Sequence, residues 1–183
     1  MSFRFQAADK KTLGYDPAQV DEFIARARAQ FAAPDLAVVA ADAVRSIEFD
    51  LVKAGYVIEV VDAAIERLEE TFAAREIQRQ KAEKGSYALD DRLARITEIL
   101  RGRLNRPKGK KFSSTGWLLR GYSRKQVDAL CEQIARHFDS GTALLPAEVR
   151  RSIFRAKRGG YAESQVDAFI DRVIEALQIE AAR

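Results

Sequence analysis

The sequence predicts a mainly α protein built of four helical repeat units arranged as two A-B pairs. Three observations carry that prediction. The pattern Gly-Tyr-x4-Val-Asp occurs four times, at Gly14-Tyr15 with Val20-Asp21, Gly55-Tyr56 with Val61-Asp62, Gly121-Tyr122 with Val127-Asp128, and Gly160-Tyr161 with Val166-Asp167. Each copy is followed by an apolar row at helical spacing. No long β run is evident. The glycines fall 41, 66 and 39 residues apart, so a longer gap separates two close pairs. Copies 1 and 3 carry a Phe ten residues before the Tyr (Phe5, Phe112). Copies 2 and 4 carry one seven before it (Phe49, Phe154). The expected organisation is a first pair over 1–84, a connecting helix and basic linker over 85–111, and a second pair over 112–183.

The helix starts follow from capping chemistry. Asp16 is expected as N-cap with Pro17 at N1 and Gln19 at N3, and Ser123 with Gln126 repeats the device. Both read as capping boxes, in which the two side chains satisfy orphan backbone N–H groups. Val57 and Ala162 stand at the cap in copies 2 and 4, a loss of about 1 kcal/mol per helix start. Tyr at N′ and Val at N4 form a hydrophobic staple. The glycine before each Tyr is expected to permit a sharp or left-handed turn, with short extended segments ahead of it.

The helices that follow each keep one stripe. The rows read Val20-Ile24-Ala27-Phe31, Val61-Ile65-Leu68-Phe72, Val127-Cys131-Ile134-Phe138 and Val166-Ile170-Val173-Leu177, flanked by Phe23, Ala64, Leu130 and Phe169. Helical leaders are expected near Leu36–Ile47 and Ala147–Phe154. The helix of copy 2 continues through a polar stretch to a stop at Gly85. A further helix is expected from Leu89 to Leu104, with Leu93, Ile96, Ile99, Leu100 and Leu104 on one side. The stretch Arg101 to Lys111, broken by Pro107 and Gly109, then reads as a linker.

Composition narrows the function classes. Of 183 residues, 47% are apolar and 32% charged, as in ordinary globular chains. No apolar run approaches the roughly 18–20 residues of a membrane span, and no secretory signal is read. The single Cys131 excludes an intrachain disulfide and suits a reducing cytosol. With one Cys and one His (His137) there is no tetrahedral zinc set and no supported nucleophile pair. No cofactor, metal, small-molecule substrate or enzymatic activity is expected. Cys131 takes the place of an Ile in the other copies and is expected in the core. The four motif aspartates are expected to serve structure. Three routes stand open: the preceding loop, an arginine of a paired unit such as Arg45 or Arg150, or the positive helix N-terminus.

Copies 1 and 4 read Gly-Tyr-x4-Val-Asp-x-Phe-Ile, and Phe49 and Phe154 close Val-Arg-x3-Phe leaders. These residues resemble the N-terminal domain of the DivIVA proteins, and the chain is similar to bacterial proteins built from tandem DivIVA-type repeats. The resemblance covers most of the chain. It implies a non-enzymatic cytoplasmic scaffold at the inner membrane of cell poles or septum, linked to polar growth or division. Its partners would be other proteins, further copies of itself and the anionic membrane surface. It further implies an exposed Phe-Arg just before Gly-Tyr that touches lipid. That dipeptide falls on Leu119-Arg120, Thr12-Leu13, Lys53-Ala54 and Arg158-Gly159, and only the first is apolar then basic. The family's long heptad tail is missing, so the two units of each pair are expected to pack within one chain and mimic a dimer.

Two regions are therefore singled out. Trp117, Leu118, Leu119 and Arg120 form a candidate membrane tip, the alternative being that they cover the helix stripe. Arg101, Arg103, Arg106, Lys108, Lys110 and Lys111 form a candidate site for an anionic partner. The alternative function is thus a nucleic-acid-associated helical protein acting through 101–111, although no base-stacking aromatics or reader motif accompany it.

Overall fold

Helices carry most of the chain. A computed structural model describes residues 5–32 and 47–182. The order is β1 (Leu13–Tyr15), α1 (Pro17–Ala32), β2 (Leu51–Lys53), α2 (Ile58–Lys84), α3 (Ser86–Leu104), β3 (Arg120–Tyr122), α4 (Arg124–Ser140), α5 (Pro146–Arg150), β4 (Ala156–Arg158) and α6 (Glu163–Ala181). The chain divides into two compact units, residues 1–76 and 77–183.

In the first unit, Val20, Phe23, Ile24 and Ala27 of α1 share a core with Val61 and Phe72 of α2. Phe5, Phe49, Tyr15 and Tyr56 close one end of it. In the second unit, Val127, Cys131 and Ile134 of α4 and Val166, Val173 and Leu177 of α6 are buried together with a third helix. That helix is α3, which contributes Leu89, Leu93, Ile96, Leu100 and Leu104. The segment 85–111 expected to connect two domains is thus counted in the second unit. Ile99, expected on the buried side, is 71% exposed. It precedes Leu100 by one residue and so lies about 100° off the buried row.

The two strand pairs are antiparallel ribbons. Leu13 faces Lys53 and Tyr15 faces Leu51 in β1–β2. Arg120 faces Arg158 and Tyr122 faces Ala156 in β3–β4. A two-stranded ribbon is marginal alone, and here each rests on the core behind it. In copies 2 and 4 a turn closes on the motif glycine, the Gly55 N–H donating to the Val52 carbonyl and the Gly160 N–H to that of Lys157; copies 1 and 3 form none at Gly-Tyr. Gly14-Tyr15 and Gly121-Tyr122 lie inside β1 and β3. None of the four motif glycines has a positive φ; the left-handed residues are Ala54 and Gly159, one position earlier in copies 2 and 4. The glycines answer a different need, which is backbone contact. A Cβ on Gly14 would stand 2.3 Å from the Tyr56 carbonyl oxygen, and one on Gly121 2.2 Å from that of Tyr161. Gly55 and Gly160 meet Gly14 and Gly121 as closely, at 2.5 Å and 2.4 Å.

α1, α2, α4 and α6 begin just after the expected cap positions. The caps themselves differ. The Ala18 N–H donates to Asp16 Oδ1 at 2.8 Å, whereas Ser123 makes no side-chain cap bond. Neither Gln19 nor Gln126 closes a capping box, because each is engaged by a leader segment described below. The leader expected over Ala147–Phe154 is helical only to Arg150. Beyond it, residues 152–155 lead without helix or strand into β4, and the Arg155 N–H reaches Gln126 of α4. Apart from Ile47, the leader Leu36–Ile47 lies outside the described residues, as does Arg45.

Candidate functional site

The two motif copies of each unit clasp one another. The Tyr15 N–H donates to the Tyr56 carbonyl at 3.0 Å, and the Tyr56 N–H to the Tyr15 carbonyl at 2.8 Å. Tyr122 and Tyr161 repeat this at 3.0 and 2.9 Å. Each tyrosine hydroxyl then reaches the motif aspartate of the opposite copy. Tyr56 donates to Asp21 at 3.2 Å and Tyr161 to Asp128 at 2.8 Å. Tyr15 and Tyr122 lie near enough to Asp62 and Asp167 for those carboxylates, second to burial, to raise their hydroxyls. Leader rings cross in the same sense: Phe5 packs edge-on against Tyr56 and Phe112 against Tyr161, while Phe49 meets Tyr15 and Phe154 meets Tyr122. Of the open routes, the preceding loop is met at Asp128, which accepts the Gly109 N–H. The partner common to the motif aspartates is the tyrosine of the paired copy.

Gln19, Gln126 and Gln165 complete the clasp. Their side-chain oxygens accept the N–H of Asp50 at 2.9 Å, Arg155 at 2.8 Å and Ser113 at 3.0 Å. The carbonyls of the same three residues accept the N–H groups of Asp16, Ser123 and Ala162, each at 2.9 Å. Each leader is thus bound as a short extended piece by the start of the opposite helix. Copy 2 has Val60 where the others have Gln, and there only the backbone half survives, from Val57 N–H to the Gln6 carbonyl at 2.9 Å.

Asp128 is the one buried motif aspartate. It accepts the Gly109 N–H at 2.7 Å besides the Tyr161 hydroxyl. Burial, with Asp128 as acceptor, pushes the Tyr161 hydroxyl up to about 12, while the Lys111 N–H bond works the other way. Burial also raises Tyr15 and Tyr122, assisted by Asp62 and Asp167. Asp167 is itself raised by burial, against the pull of the Tyr122 bond.

The basic stretch folds back on the second unit. Lys111 is buried, and its ammonium donates to the carbonyls of Leu104 and, at 2.9 Å, Arg106. It thereby satisfies carbonyls at the negative end of α3. Arg103 donates to the Lys111 carbonyl at 3.0 Å and lies over the Phe112 ring. Arg106 reaches the same carbonyl at 3.4 Å. Arg101 donates to the Phe138 carbonyl at 2.8 Å, and Lys108 pairs with Glu132 at 2.6 Å. Of the six cations only Lys110 has no such contact among the described residues. Of the stretch 101–111 read as a linker, residues to Leu104 are helical and Lys111 is buried, while 105–108 and Lys110 are exposed.

The apolar tip is exposed. Trp117, Leu118 and Leu119 are 80%, 69% and 65% exposed, so they do not cover the helix stripe. The backbone beneath them is tied down. The Leu119 carbonyl accepts the Gly159 N–H at 3.0 Å and the Thr115 hydroxyl at 3.2 Å. Arg124 donates to the carbonyls of Gly159 at 2.8 Å and Gly109 at 3.0 Å, and to the Ser114 hydroxyl at 2.7 Å. Arg120, next to Leu119 in sequence, faces Arg158 across β3–β4, and Lys157 faces Gly121; all three are exposed. Lys157 and Arg158 were not singled out by sequence. The β3–β4 register that joins them to the tip is a long-range pairing, and the only sequence signal was the A-B order itself.

Cys131 is buried, and burial pushes its thiol up to about 12, a value that leaves no thiolate near neutrality. His137 joins the Thr142 carbonyl at 2.8 Å and Glu180 at 2.7 Å. Among the described residues no three His, Cys, Asp or Glu side chains are grouped to hold a metal, and no helix is long and apolar enough to cross a membrane. Comparison with protein-family models, with curated proteins and with solved structures returned no match.

Proposed function

We propose that the chain is a non-enzymatic scaffold or adaptor of the DivIVA-repeat type. Its four motif copies are repeat units joined in two intrachain pairs, and it attaches at the periphery of an anionic inner membrane through the Trp117–Arg120 tip. The reading adds polar growth or cell division as the setting and protein partners as the cargo. One observation carries the membrane part: three large apolar side chains are exposed in a loop anchored at the Leu119 carbonyl, followed directly by Arg120 and its register partner Arg158. A fixed loop presents apolar groups without the entropy cost of ordering a mobile one. Trp suits the membrane–water interface. Each cation near an anionic surface contributes about 1 kcal/mol. The engagement of five of the six cations in 101–111 weighs against the nucleic-acid alternative.

Flotation with vesicles containing phosphatidylglycerol tests the reading. The wild-type chain is expected to float with anionic vesicles and less with neutral ones. Leu119→Asp is expected to abolish flotation while leaving the far-ultraviolet spectrum unchanged. Flotation of Leu119→Asp at the wild-type level removes the tip from the account.

A further inference from the structure

We infer that the face shared by α3 and α6 is a docking notch for an acidic protein segment that carries an apolar side chain between its carboxylates. The notch has a volume of about 220 Å³ and is lined by Arg92, Arg95, Ile96, Ile99, Arg172 and Glu175. Two features set it apart. Ile99 is 71% exposed although its neighbours in the α3 sequence, Ile96 and Leu100, are buried. Three guanidiniums rim this isoleucine, against one carboxylate within the notch.

The guanidiniums are oriented by their existing bonds. Glu175 accepts Arg92 Nε at 2.9 Å and Arg172 Nη1 at 2.6 Å. Gln80 takes Arg92 Nη1 at 2.9 Å, and Asp91 takes Arg95 Nη2. Arg92 thus has all three nitrogens committed and acts as a support, since its Nη2 also bonds Glu175. Arg95 and Arg172 each commit a single terminal nitrogen. A guanidinium carries five N–H donors, so these two keep forks for an incoming carboxylate. Positive charge above an apolar floor complements an acidic segment with one apolar residue at its centre. It suits a nucleic acid poorly, because no aromatic ring lines the notch to stack a base. The notch shares no residue with the Trp117 tip, and its test is independent of lipid binding.

Fluorescence anisotropy on the full chain tests this. The probe is a fluorescein-labelled peptide of paired aspartates separated by leucine, and the control replaces the leucines with serine. Wild-type protein is expected to bind the leucine peptide, and to bind the serine peptide roughly tenfold more weakly. Ile99→Ser and the double change Arg95→Ala with Arg172→Ala are each expected to weaken leucine-peptide binding by about tenfold or more. Binding should fall as salt rises in wild type and less steeply in the double variant. All three side chains are surface groups, and thermal melts matched to wild type verify the fold. Absence of wild-type binding, equal binding of both peptides, or unchanged binding by either variant overturns the inference. So does a labelled DNA duplex that binds more tightly than the peptide and is lost in the same variants.

Discussion

The two units use one clasp and dress it differently. In both, motif tyrosines exchange backbone bonds, and their hydroxyls cross to aspartates of the paired copy. The loops ahead of the clasp have the same length and the same carbonyl anchor. Thr12 accepts the Ala54 N–H at 3.1 Å where Leu119 accepts that of Gly159 at 3.0 Å. Yet Lys10-Lys11-Thr12 stands in the first unit where Trp117-Leu118-Leu119 stands in the second. The aspartates differ too. Asp21 is exposed at 3.2 Å from its tyrosine, whereas Asp128 is buried at 2.8 Å and also holds Gly109. The contacts that build the pair are therefore common property. What is specific to one unit lies in the side chains of a loop whose backbone anchor both units share.

The largest disruption should come from what the units share. Gly121→Ala places a methyl carbon 2.2 Å from a backbone oxygen, and Gly14→Ala does so at 2.3 Å. Neither backbone can yield without breaking the clasp. Each change is expected to cost at least the ~3 kcal/mol that marks severe overpacking. Urea unfolding of the full chain checks this, and a midpoint shift confined to one of the two variants would break the equivalence of the clasps.

A smaller effect should separate the units. Asp128→Ala strips the acceptor from two donors in a buried site and is expected to cost about 2–3 kcal/mol. Asp21→Ala, at a part-buried bond of an exposed side chain, should cost about 0.5–1 kcal/mol. Equal losses in urea melts would mean that the 105–111 segment does not seal Asp128.

The smallest effect is alkaline. Tyr161 is raised from 10.0 to about 12 in the folded chain, so its neutral form is the stabilised one. Its contribution is fully present below pH 10 and is lost as pH rises through about 12. Stability should decline over that window in wild type, and Tyr161→Phe should remove that part of the slope. An unchanged slope in Tyr161→Phe would assign the decline to other groups.

Much of the fold was legible because it is local. Cap positions, apolar rows and the Gly85 stop each follow from residues within a few turns of one another. Ile99 misled because a coarse row admits a residue that helical geometry places about 100° aside. The clasp was only half legible. The A-B order suggested a pair, but Tyr, Asp and Gln read equally well as contacts within one copy. Which copy each side chain meets is decided by long-range pairing, which no spacing encodes. Lys111 reads in sequence as a linker cation open to an anionic partner; its burial depends on where the end of α3 falls. The tip stood out because the helix start did not require it, and its exposure follows from a register visible only in the fold.

The central claim is that each clasp closes within one chain. Arg120 and Arg158 are register partners across β3–β4, close enough in an antiparallel pair for a disulfide after slight adjustment. In a Cys131→Ala background, Arg120→Cys with Arg158→Cys should oxidise to a single species of monomer mass on a non-reducing gel, with both thiols lost at every protein concentration. Covalent dimers that persist on dilution before oxidation would show that the copies pair between chains, and would contradict the account.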